Sequence, residues 1–274
     1  MLNEQLNASV AILTFNSERY LDKCLASVAA FEEILILDGG STDGTLEIAR
    51  CYGARILPQS DTPGPIDDFT AVRRRSFALA KHEWVFWIDS DEYANEELIL
   101  DIRNALRAVE PAVYSASKIP VVEGREIYYA YNLPNTAIRL IRKGNAEWRS
   151  GKKVHEHLQP KAGIETKLLQ GHVFSHWESV EEQKKKDLRY IHLAFNKPVL
   201  KRPGFLRTLK SIIKNICYAG RILCMSLYLS VMYRHTGRVL PFRHHARYMY
   251  HHLRIVRERI RQFVLAEKYV PPKG

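Results

Sequence analysis

Cysteine is scarce: Cys24, Cys51, Cys217 and Cys224 are the only four in 274 residues, and no two stand at a C-x-x-C spacing. Neither a disulfide framework nor a cysteine zinc site is indicated, and a reducing compartment is the default. The opening MLNEQLNASV has no basic n-region and no apolar h-region, so no secretory leader is expected and the chain is assigned to the cytoplasm. Long apolar runs are missing as well. In the C-terminal part the most apolar charge-free run, Ile222 to Tyr233, has 12 residues, short of the roughly 20 that span a bilayer. A span is therefore not expected, whereas a helix lying on a surface is.

Acidic residues nearly vanish after residue 183: from Lys184 onward 21 Lys and Arg stand against Asp187, Glu258 and Glu267, a balance of +18, while the preceding residues carry −7. The basic excess is absent from the first part and comes with no nucleic-acid-binding motif, so no nucleic acid is expected as a partner. An anionic membrane surface fits better, because each basic residue near such a leaflet is worth about 1 kcal/mol. The expected location is peripheral, on the inner face of the cell membrane.

What is present is a globular composition, 46% hydrophobic and 26% charged, which excludes collagen-like and disordered classes. Ser9 to Phe15, Ile34 to Leu37, Arg55 to Leu57 and Trp84 to Ile88 read as strands, and helical spacing falls between them at Ser17 to Ala29, Thr45 to Tyr52 and Phe69 to Lys81. Fully apolar strands alternating with helices predict an α/β fold whose mainly parallel sheet is covered on both faces. Asn95 to Val109 is a further helix with Asn95 as its cap, and Thr42 or Asp43 would cap the helix before it. After Glu181 the pattern turns helical and basic, with long stretches at about 205–235 and 243–266. The expected division is a catalytic domain over 1–180 and a basic amphipathic helical extension over 181–274.

Four features carry chemistry. Asp89-Ser90-Asp91 follows an apolar strand directly, at the sheet edge where ligands bind in open α/β folds. Two carboxylates there can hold a hard cation such as Mg²⁺ or Mn²⁺; they can equally just end the strand. Asp38 with the GGSTDG turn is the second, at another strand end, where glycines allow close approach to a ligand. It is not a G-x-G-x-x-G fingerprint. The third is His155-Glu156 in a Gly-containing loop, with His172 and His176 downstream, where a carboxylate can act as a base and an imidazole as a ligand. Arg73, Arg74 and Arg75 are the fourth, and they fan out round a helix so that one or two reach a site.

In order, ILTFN, LILDGGSTDGT, RRRSFALAKHEWVFWIDSDE and W-x-x-G-x-x-VHE resemble the family-2 glycosyltransferases of GT-A fold, most of all the branch containing lipopolysaccharide-core β-glucosyltransferases. The resemblance implies a Rossmann-like GT-A domain and inverting transfer of a sugar from a nucleotide-sugar, a UDP-sugar, to a glycan or glycolipid acceptor with Mg²⁺ or Mn²⁺. It implies that Thr14, Asn16 and Asp38 embrace the nucleoside, Asp89 faces ribose and base, and Asp91 binds metal and diphosphate. Arg75 would lie near the nucleotide, Glu156 would be the catalytic base, and His155 with either His172 or His176 would lie near the diphosphate or metal, His176 being preferred. The family's usual Arg-Asn pair reads Arg75-Ser76 here. Two alternatives stay open: a nucleotidyltransferase-like enzyme, which would release pyrophosphate rather than UDP, and a nucleic-acid-binding protein using the basic tail.

Overall fold

The computed structural model describes residues 4–64, 68–108, 110–148, 158–195 and 204–267. The chain forms two compact units: residues 1–121 with 134–176, and residues 122–133 with 177–274. Residues 122–133, which the expected division leaves with the catalytic domain, thus belong to the second unit.

In the first unit, β1 (Leu6–Thr14), β2 (Phe31–Asp38), β3 (Arg55–Pro58) and β4 (Trp84–Asp89) run parallel in the order β3-β2-β1-β4. Their apolar runs divide by parity. Val10 and Ile12, Ile34 and Ile36, and Phe86 and Ile88 enter one core layer; Ala11 and Leu13, Leu35 and Leu37, and Val85 and Trp87 enter the other. A strand apolar at every position is what a sheet with two covered faces requires.

The helices α1 (Glu18–Ser27), α2 (Thr45–Cys51), α3 (Phe69–Leu79) and α4 (Glu96–Leu106) lie where expected. Asn95 caps α4, its Oδ1 accepting from Leu98 N at 3.0 Å. The N-cap of α2 is Gly44, without a side-chain cap bond; Asp43 Oδ1 instead accepts from Thr45 N and Oγ1 at 3.1 and 2.5 Å, a turn inside the loop.

Beyond β4 the sheet becomes mixed. β8 (Thr136–Arg142) is antiparallel to β4 and to β6 (Ala112–Val122), β11 (Glu165–His176) is parallel to β6, and β5 (Glu92–Ala94) closes the edge antiparallel to β11; β7 (Arg125–Glu126) is a short strand after β6, and β9 (Ala146–Trp148) and β10 (Leu158–Pro160) form a separate antiparallel pair. This is the GT-A architecture: a Rossmann-like parallel half followed by a mixed half.

The second unit has a small core of Val122, Ile127, Ala130 and Leu240, with Leu133 and Trp177 packed against it. Its helices are α5 (Val180–Phe195), α6 (Phe205–Tyr233) and α7 (Phe242–Glu267). Arg247 Nη1 meets Asp187 Oδ2 at 2.9 Å, tying α7 to α5. By length and composition Phe205–Thr236 is long and apolar enough to cross a membrane, although 22% of its most apolar window is buried. Its longest charge-free run is still Ile222 to Tyr233, with Arg207, Lys210, Lys214 and Arg221 before it, so length and composition alone do not make it a span.

Gly171 lies in β11 against the first turn of α4. A Cβ there would stand 2.7 Å from the carbonyl carbon of Glu97 and closer still to N and Cα of Leu98. All are backbone atoms, which cannot rotate away. Gly171→Ala is expected to lower stability by about 3 kcal/mol, read as a shifted urea midpoint; an unchanged midpoint would show that α4 yields at no cost.

Candidate functional site

Three parallel strands end side by side. Thr14 is in register with Asp38, and Leu13 with Asp89, so the loops after β1, β2 and β4 meet at one edge. The first two loops are laced together. Asp38 is buried and its carboxylate accepts from Thr14 Oγ1 at 2.7 Å, Gly40 N at 2.7 Å, Ser41 N at 2.8 Å and Ser41 Oγ at 2.6 Å. It therefore organises the turn. Asn16, at φ 50, donates its N–H to Ser41 Oγ at 2.8 Å, and its Oδ1 accepts from Thr42 N at 2.9 Å. Gly40 adopts φ +83, and a Cβ on Gly39 would meet Gly64 O at 2.7 Å and Phe15 Cδ2 at 2.9 Å. The two glycines thus serve different ends, one a left-handed turn and the other a close approach.

The loop after β4 is held by a buried carboxylate that sequence reasoning missed. Glu92 is 1% exposed. Its oxygens pair with Arg139 Nη2 and Nη1, both at 2.9 Å, and with Lys118 Nζ at 2.6 Å, while Oε2 also accepts from Asp89 N at 3.0 Å. Glu92 therefore clamps the Asp89-Ser90-Asp91 turn back onto the sheet. Arg73, buried in α3, pairs with Asp89 Oδ1. The guanidinium carbons of Arg73 and Arg139 lie 4.1 and 4.0 Å from the Trp87 ring centroid.

The α3 arginines part company. Arg73 reaches Asp89, Arg74 donates to Trp148 O at 2.6 Å, and Arg75 donates to Gln59 O at 3.3 Å. Gln59 N in turn donates to Asp38 O at 2.9 Å, so Arg75 stands by the Asp38 loop while Arg73 serves the acidic turn. Ser76 turns inward and donates to Arg73 O at 2.8 Å.

The two aspartates titrate in opposite directions. Burial would raise Asp89, but the positive charges of Arg73, Arg139 and Lys118 outweigh it and hold the carboxyl at about 2. Asp91 stands exposed at the mouth. The protein crowded round it and the neighbouring charges of Asp89 and Glu92 push its carboxyl up to about 7. Water at the mouth screens part of that repulsion; a bound cation would relieve the rest.

The pairing of β5 with β11 brings His176 to Asp91, whose carbonyl accepts from His176 N at 3.0 Å. The imidazole stacks on Tyr20 at 4.4 Å and tilts against Tyr93 at 5.5 Å, while Lys23 Nζ sits 3.6 Å from the Tyr93 ring centroid and Arg19 lies 5.0 Å over Tyr20. Burial, then Lys23 and Arg19, lower the His176 pKa, favouring the neutral ring that can ligate a metal. Its Nε2 is buried without a hydrogen-bond partner among the described residues. His172 is held elsewhere, its N donating to the α4 cap Asn95 at 2.9 Å. His155 and Glu156 lie outside the described residues.

Among the described residues no three His, Cys, Asp or Glu side chains group as a metal cage. A carboxylate and an imidazole suit a hard cation that keeps open positions for water and phosphate oxygens, as Mg²⁺ commonly does. A cavity of about 290 Å³ lined by Glu83, Trp84, Glu110, Arg142 and Lys143 lies at the amino end of β4, the opposite end from the aspartates.

Residues 9–161 match the family described as Glycosyl transferase family 2. The chain belongs to that family. It is similar to the lipopolysaccharide core biosynthesis glycosyltransferase LpsC of Rhizobium meliloti, 28% identical over 210 residues that cover 74% of this chain and 76% of the relative. The glycosyltransferase SunS of Bacillus subtilis is 29% identical over 146 residues, 53% of this chain and 33% of SunS. Among solved structures, Staphylococcus aureus TarS 1–349 with UDP superposes with a TM-score of 0.47 at 17% identity, covering 94% of this chain and 92% of that one. Glucosyl-3-phosphoglycerate synthase of Mycobacterium tuberculosis, solved with Mn²⁺, UDP and glucosyl-3-phosphoglycerate, gives 0.35 at 23% identity over 42% of this chain and 44% of that one.

Glu92→Ala would leave the buried Arg139 and the half-buried Lys118 without their carboxylate partner, so a loss of about 3 to 5 kcal/mol is expected in urea unfolding at neutral pH; a loss below about 1 kcal/mol would show the clamp to be dispensable. The Asp89 pair adds a pH dependence. A carboxyl held near 2, against about 3.9 unfolded, contributes fully above the higher value and loses its contribution as pH falls through the lower. Arg73→Met should flatten the acid limb of stability against pH; a limb of unchanged slope would assign it to other carboxylates.

Proposed function

We propose that the chain is an inverting glycosyltransferase moving a sugar from a UDP-sugar to a hydroxyl of a glycan or glycolipid acceptor in lipopolysaccharide-core or other cell-surface glycan assembly. The observation that carries this reading is the meeting of the Asp38 loop, the Asp89-x-Asp91 turn and His176 at one sheet edge. Membership of the family and the likeness to LpsC support it.

In this reading Thr14, Asn16 and Asp38 form the nucleoside side, with Arg75 near the nucleotide and Asp89 towards ribose and base. Arg73 positions Asp89 through one oxygen, leaving the other carboxyl edge for the donor. Asp91 and His176 would hold a Mg²⁺ or Mn²⁺ ion, which when bound supplies positive charge where the leaving diphosphate gathers negative charge. Glu156 takes the proton of the acceptor hydroxyl as that oxygen attacks the anomeric carbon. A single displacement inverts that centre, so the base and the diphosphate site must flank the sugar from opposite sides. His155 completes the diphosphate side. The basic second unit keeps the protein on the inner face of an anionic membrane, where a glycolipid acceptor is presented.

Asp91→Ala should cut metal-dependent UDP release by about a thousandfold with an unchanged circular dichroism spectrum; full activity would remove Asp91 from the metal. Glu156→Gln should keep donor affinity while kcat falls by about 10² to 10⁴; an unchanged kcat moves the base to another residue.

A further inference from the structure

Helix α6 is built inside out for a helix in water. Its buried positions are mostly small or polar: Thr208, Asn215, Ala219, Ile222, Ser226 and Leu229. This is the seam along α7, where Asn215 Oδ1 meets His252 Nδ1 at 2.9 Å and Tyr218 stacks on His252 at 5.3 Å. The large apolar residues face outward. Leu206, Leu209, Ile213, Ile216, Leu227 and Val231 are all exposed, Val231 by 81%. At about 100° per residue these six fall within a sector of about 80°. Arg207, Lys210, Lys214 and Arg221 are exposed too and fall in the neighbouring sector of about 60°, which the exposed Tyr228 and Met232 continue in the last turns of the helix. The helix has no acidic residue.

Three stripes therefore run along α6: a small-residue seam, an apolar stripe and a basic stripe. A helix covering a soluble core would bury the second of these. In an apolar solvent the arrangement makes sense, because helices there touch through small residues and turn large ones to lipid. The basic stripe decides the posture. From Arg207 to Arg221 it runs along about 21 Å of helix axis at 1.5 Å per residue, and a spanning helix would carry those charges into hydrocarbon. Lying flat, all four reach the phosphates on one side while the apolar stripe enters the acyl layer.

We propose that α6 lies in the plane of an anionic bilayer surface, with its apolar stripe among the acyl chains and its basic stripe among the headgroup phosphates. This rests on the membrane association proposed above and assigns the element and posture that produce it.

The chain carries its own probes, since Cys51, Cys217 and Cys224 are exposed free thiols; the latter two border the apolar stripe and Cys51 belongs to the first unit. The full chain is sedimented with phosphatidylcholine vesicles, with and without phosphatidylglycerol, then labelled with a charged maleimide, and UDP release is read from the same samples. Binding only to the phosphatidylglycerol vesicles is expected, with Cys217 and Cys224 labelled about tenfold more slowly there and Cys51 unchanged. The exposed-site variant Ile213→Ser/Ile216→Ser/Leu227→Ser should lower vesicle partition about a hundredfold while leaving UDP release in solution as it was. Sedimentation with both α6 thiols fully reactive would overturn the assignment to α6 and leave membrane association standing. Equal binding to both vesicle types would overturn the role of the basic stripe. No sedimentation, or retention by RNA in preference to vesicles, would overturn both.

Discussion

The candidate site depends on one buried carboxylate. Glu92 sits at the start of an edge strand with two cations and a backbone N–H directed at it, and it fixes the chain direction just where the sheet stops and the acidic turn begins. Burying a charge there is costly, and the cost is offset only while Arg139 and Lys118 stay in place. The alternation of sign continues outward: Asp89 answers Arg73, while at Asp91 the charges of Asp89 and Glu92 outweigh that of Lys118, which is itself paired with Glu92. The site is thus electrically settled at its base and unsettled at its rim, which is the condition under which a divalent ion gains most by binding.

How much of this was legible follows from the range of the signals. β1, β2 and β4 announced themselves because each is apolar at consecutive positions, and the cap of α4 because Asn95 precedes its helix directly. Both are local signals. β5 was not legible, since three residues of mixed polarity become a strand only when β11 arrives from some eighty positions downstream, and without β5 nothing joins Asp91 to His176. Glu92 was hidden for the same reason: its partner Arg139 is 47 residues away, although a charge in the middle of the apolar strand TAIRLIR was a sign that a buried counter-ion had to exist. The three arginines of α3 were visible as a group, but which one reaches the acidic turn depends on helix phase relative to the sheet.

The second unit shows the converse case. Its composition could be read directly, whereas its orientation could not, because a run of Leu, Ile and Val reads alike whether it faces a core or a bilayer. Only the identity of the residues between the helices separates the two. Thr208, Asn215 and Ser226 in the seam of α6 mean that close approach of backbones, rather than expulsion of water from large side chains, joins the hairpin.

The path of the backbone between the units carries a consequence of its own. Because residues 122–133 belong to the second unit and residue 134 returns to the first, the polypeptide enters that unit twice, and its small core of Val122, Ile127, Ala130 and Leu240 draws on both visits. The basic helices are consequently not a detachable tail. Recombination or gene fusion at a point between residues 134 and 239 would divide that core between two proteins, so that stretch of chain is exchanged only together with both units.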